Sequence, residues 1–168
     1  MIKTVYIFLI TFFSVLAELL FRNIGLFFPF CGLFIFYVTT AFGVRYGFLA
    51  AFLAACPLDF LGNGAAHPWS MISFSAVIGL SCFWLHRVES ESLFLHSLPG
   101  AAVPGIIWIF SLLFFSESPG MVFLDHFPSF LPACFFSALF LPLEIYFFDT
   151  LNERLSLPLY TNAKLDLK

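Results

Sequence analysis

The stretch FGVRYGFLAAFLAACPLDFLG, residues 42–62, carries one cation, Arg45, near its start and one acid, Asp59, near its end. Nothing between them is charged. The apolar run within it, Tyr46–Leu61, shows no alternation of polarity and exceeds the roughly 9–11 residues of a membrane barrel strand. It is therefore read as a helix in hydrocarbon, where each backbone amide must find its partner inside its own segment. Working outward, five more runs are bounded by charge, Gly or Pro: Val5–Phe21, Ile24–Phe42, Pro68–Leu85, Leu98–Phe115 and Pro128–Phe148.

Composition supports the same solvent. The 168 residues are 61% apolar and 10% charged, against roughly 45–50% and about 25% in an ordinary soluble domain. At about 20 apolar residues per span, that content suffices for five or six crossings. The fold expected is all-α: a polytopic membrane protein, one integral membrane domain over residues 1–168, built as a bundle of six transmembrane helices. The first run follows Lys3 and could pass for a signal peptide, but Glu18 and the immediate return of apolar sequence favour a retained span. Pro29 suits a helix's first turn, which would leave residues 22–28 as a connection. Pro57 is expected to open the third helix into the Gly62-Asn63-Gly64 loop.

Six of the seven basic residues set the orientation. With six spans Lys3, Arg45, Arg87, Arg154, Lys164 and Lys168 fall on one side, with Arg22 on the other. That asymmetry predicts both termini in the cytoplasm. Residues 86–92 become the largest inner loop and Glu117 to His126 the largest outer one. A net charge of −3 with no basic stripe excludes nucleic-acid binding, leaving membrane lipids as the constant partner.

Acids within spans are expensive and mark places of interest. Glu18 stands four residues before Arg22, the favourable order for a helical ion pair. Glu144 lies at the depth of Arg45 and could pair with it. Asp59 sits where Pro57 and Gly62 free backbone groups, so its carboxylate could hold the turn through amide hydrogen bonds; binding or proton transfer is the alternative.

Gly43, Gly47, Ala51 and Ala55 recur every fourth position on the way to Asp59, and Ala50 and Ala54 widen the small-residue surface. Among 27 phenylalanines such a surface lets another backbone approach closely. It should make the third helix the packing centre, either by filling a tight bundle or by docking another protein. Cys31, Cys56, Cys82 and Cys134 lack CxxC spacing and read as small buried hydrophobes. His67, His86, His96 and His126 fall in loops without metal-binding spacing. No P-loop, dinucleotide or nucleophile-elbow pattern is present, so no cofactor, metal or enzymatic activity is expected. Lone serines in spans should bond to their own helix carbonyls.

The pattern Phe42-Gly43-Val44-Arg45-Tyr46-Gly47, then a small-residue apolar stretch, then Leu58-Asp59-Phe60-Leu61-Gly62, resembles the rod-shape-determining MreD family. The resemblance spans residues 29–87 and rests on Gly47, Asp59 and Gly62. Ala55 departs from the family's usual glycine, as does His67-Pro68-Trp69 after the turn. The resemblance implies a non-enzymatic, multi-pass component of the bacterial inner membrane serving peptidoglycan elongation and cell shape. Its partners would be a bitopic MreC-like protein and other elongation-complex proteins, here met through the small-residue face of the third helix. The competing expectation is the substrate-binding S component of an energy-coupling-factor vitamin transporter. Asp59, Asn63, His67 and Trp69 would then supply its outward polar groups.

Overall fold

The computed structural model describes residues 2–62, 69–87, 93–115 and 119–160. Six α-helices account for nearly all of them: α1 (Ile2–Asn23), α2 (Phe30–Phe42), α3 (Val44–Pro57), α4 (Ser70–Arg87), α5 (Ser97–Phe115) and α6 (Pro119–Arg154). No strand occurs among the described residues. Three segments are long and apolar enough to cross a bilayer, namely Ile2–Asn23, Val44–Leu61 and Pro128–Arg154; the apolar parts of α2, α4 and α5 are shorter.

The bundle is built around α2, whose residues from Cys31 to Ala41 are all buried. It packs against α1, α3, α4, α5 and α6. This corrects the expectation that the third helix is the centre. A helix apolar on every side belongs in the middle, and α2 has no charged residue to hold one face outward. What the small residues of α3 provide is closeness to that centre. A methyl group at Gly47 would run into the Thr39 side chain on α2, so the two backbones nearly touch there. Gly43, at φ 93°, makes the turn between the two helices in a conformation that L side chains rarely adopt.

Helix ends follow their local chemistry. The last turn of α1 closes in a Schellman motif, with Leu26 N–H donating to Phe21 O at 2.9 Å and Gly25 N–H to Arg22 O at 2.9 Å, Gly25 taking φ 77°. Residues 24–29 then run to α2, so the connection is shorter than the expected 22–28: Arg22 and Asn23 still belong to α1, and Pro29 caps α2 just ahead of its first turn. Pro57 does not open α3 into a loop. It lacks an N–H and crowds the preceding turn, and the chain answers with a wider π-helical turn over Leu58–Gly62. Beyond Gly62 the expected turn lies outside the described residues. The expected outer loop Glu117 to His126 is helical from Pro119 onward, because α6 extends well before Pro128. His86 and His96 stand in helical turns, not loops.

The outside is the reverse of a soluble protein's. Phe13 is 64% exposed on α1, Phe83 60% on α4, and Phe135 62% on α6. Of the cysteines only Cys31 is buried, while Cys56, Cys82 and Cys134 are half-buried. The expectation of four buried thiols therefore holds for one, since the others sit on helix flanks near the surface. Hydroxyls inside the helices do bond back to their own turns, as with Thr11 to Ile7 O at 2.7 Å and Ser81 to Val77 O at 2.8 Å.

Candidate functional site

One end of the bundle gathers the C-terminal turn of α1 and the N-terminal starts of α2 and α4. The Glu18 carboxylate is 2% exposed and accepts a hydrogen bond from Arg22 Nη2 at 3.2 Å, the ion pair that the spacing suggested. Its second oxygen accepts the Cys31 backbone N–H at 3.0 Å. Cys31 is the second residue of α2, so Glu18 satisfies one of the amides that a helix start leaves without an intrahelical partner. Its charge also lies at the positive end of the helix dipole.

Asp59 repeats the arrangement from α3 to α4. It is 0% exposed, and its two oxygens accept the Ser70 N–H at 2.7 Å and the Ser70 hydroxyl at 2.6 Å. Ser70 is the first residue of α4. The carboxylate thus ties the π-helical turn to the next helix across the connection, the role expected of it in kind but with a more distant amide. Gly62 ends that turn.

A cavity of about 330 Å³ opens beside these capped starts, lined by Arg22, Trp69, Ser70, Ser73, Trp108 and Ser111 among others. Leu26, Phe27 and Ser129 also form part of its wall. The same three residues border an apolar groove of about 750 Å³ that runs along α6 past Ala133, Phe136 and Leu139 to Leu143. Farther along, Phe30, Phe140 and Leu143 are shared with a third cavity of about 280 Å³, where Glu144 and Ser14 stand.

The expected Glu144–Arg45 pair does not form. Arg45 is exposed at the start of α3, whereas Glu144 is 8% exposed with its Oε2 lacking a hydrogen-bond partner among the described residues. The equal depth expected of the two is not seen: Glu144 shares a cavity wall with Phe30 at the start of α2, whereas Arg45 follows that helix's other end. The row Gly43, Gly47, Ala51 and Ala55 also departs from the docking role. Ala51 and Ala55 are 0% exposed and Gly47 is buried, enclosed by α1, α2 and α4; Gly43 is half-buried at the turn. The face offered to a partner is occupied by the chain's own helices.

The opposite end holds a network that the apolar-run reading missed. Tyr37 donates to Asp149 Oδ1 at 2.8 Å, and Asn152 Nδ2 donates to Tyr37 Oη at 2.8 Å and to Pro158 O at 2.9 Å. The Tyr160 N–H reaches the same Asp149 oxygen at 2.9 Å, and its hydroxyl lies 3.1 Å from His96 Nδ1. Burial, reinforced by the negative charge of Asp149, pushes the Tyr160 phenol up to about 12. It remains a hydroxyl that can donate to His96. These bonds fold the segment after α6 back onto α2 and the start of α5. Among the described residues no group of three or more His, Cys, Asp or Glu converges as a metal would need. No protein-family model, curated protein or solved structure matches the chain.

Proposed function

We propose that the chain is a multi-pass protein of the bacterial inner membrane, with six bilayer-crossing helices and both termini cytoplasmic. It serves there as a non-enzymatic scaffold of the cell-elongation machinery, as the MreD resemblance implies. The observation that carries the membrane part is the belt of exposed aromatic and aliphatic side chains around α1, α4 and α6, set against an interior of buried hydrogen-bonded acids. Apolar surface on this scale would drive aggregation in water and is ordinary contact in lipid. The α2 helix, 13 residues or about 20 Å long at 1.5 Å per residue, crosses with the help of Phe27, Phe28 and Pro29 before it, which are half-buried or buried. Contact with an MreC-like partner falls to the outer faces, because the small residues of α3 are used internally.

The polar cavity beside Arg22 favours a second reading, the vitamin-binding S component, for which a concave site with a few convergent polar groups and aromatic walls is the requirement. Purification in mild detergent followed by mass analysis separates the two. Recovery of a bitopic elongation protein supports the scaffold. Recovery of a water-soluble small molecule and no protein partner overturns it in favour of the transporter subunit.

A further inference from the structure

The two spaces that meet at Leu26, Phe27 and Ser129 differ in chemistry. On one side lie a guanidinium, three serine hydroxyls and two indole rings; on the other, phenylalanine, leucine and proline side chains. A water-soluble solute would use only the first space, and a hydrocarbon only the second. We propose that together they hold one anionic amphiphile, a phosphate-bearing lipid, with its headgroup against Arg22 and an acyl chain along α6.

Charge selects the headgroup. Glu18 and Asp59 are buried, and their oxygens are committed to the starts of α2 and α4. Arg22, 25% exposed, is the ionic side chain in the cavity wall. A guanidinium suits phosphate geometry better than an ammonium does, and Ser111 adds a hydroxyl, while those of Ser70 and Ser73 donate to Asp59 Oδ1 and to Ser70 O. Trp69 and Trp108 are of the type that settles at headgroup depth. Length selects the chain. From Ser129 to Leu143 the groove follows α6 for at most about 21 Å at 1.5 Å per residue. One leaflet is about half of a 30 Å hydrocarbon core, or about 15 Å, so the groove is longer than a leaflet and covers the whole of one acyl chain. The inference goes beyond the scaffold reading and needs only its membrane part.

The test is native mass spectrometry of the full chain in detergent. It is titrated separately with phosphatidylglycerol, with diacylglycerol of the same chains and with glycerol phosphate. One phosphatidylglycerol should bind at least about tenfold more tightly than either relative. Arg22→Gln should remove the preference over diacylglycerol. Because that change also disturbs Glu18, Ser129→Trp serves as the second variant: it fills the junction, leaves the ion pair intact, and should lower phosphatidylglycerol binding by about tenfold. Equal binding of diacylglycerol, equal binding of glycerol phosphate, or unchanged binding by Ser129→Trp would each overturn the proposal. A chain that stays helical and detergent-dependent while failing these arms loses the lipid site but not its membrane setting.

Discussion

Glu18 and Asp59 solve the same physical problem, a helix that starts inside a low-dielectric layer with its first amides open. Removing Glu18 leaves the buried Cys31 N–H without its acceptor, which costs about 1–3 kcal/mol, while Arg22, 25% exposed, is left near water. Glu18→Ala should therefore lower unfolding stability in detergent by about 2 kcal/mol, with Glu18→Gln falling between; a loss below that of an ordinary surface change would count against the cap. Ser156 offers the opposite case. It closes the end of α6 at φ 54°, with Leu157 N–H donating to Asn152 O at 2.9 Å, a place that glycine fills without strain. Ser156→Gly should raise stability by about 1 kcal/mol, seen as a higher thermal midpoint; a lower midpoint would show that the serine is otherwise needed. At this scale the sequence was half legible. The i, i+4 spacing of Glu18 and Arg22 could be read, but Cys31 contributes a backbone amide, which has no residue-type signature. Tyr37 and Asp149 lie 112 positions apart, and a tyrosine within an apolar run gives no sign of the acid it will meet.

Among the elements, α3 shows what a pattern can and cannot say. The recurrence of Gly47, Ala51 and Ala55 does announce a close backbone approach, and Gly47 meets Thr39 on α2. It does not name the occupant, because a small-residue face fits an internal helix and an external one equally well. Since Ala51 is 0% exposed, Ala51→Leu should act on the fold itself. Overpacking of this kind costs about 1–3 kcal/mol, measurable as lost thermal stability of the isolated chain in detergent. Unchanged stability combined with lost partner recovery would restore the docking role. Helix boundaries were legible where a residue dictates them, as Pro29 does for α2. They were not where α6 runs on through Pro128 to begin at Pro119, since prolines spaced along one long helix look like separators in a linear reading.

For the molecule as a whole, composition alone pointed to a helical assembly in hydrocarbon, and the fold places its aromatic surplus outward, where lipid would be the solvent. What composition could not convey is the arrangement: a fully enclosed α2, a groove left beside α6, and a C-terminal segment tied back through Asp149 and Asn152. The proposed number of crossings and their direction rest on the count of apolar runs and the bias of basic residues in the sequence. They are most directly tested by single-cysteine labelling in a chain whose native thiols are serine, using a membrane-impermeant maleimide on intact cells. Ser118→Cys should label from outside, and Ser90→Cys only after the membrane is permeabilised. Equal labelling of both positions in intact cells, or the reversed order, would contradict the six-span, cytoplasmic-termini topology.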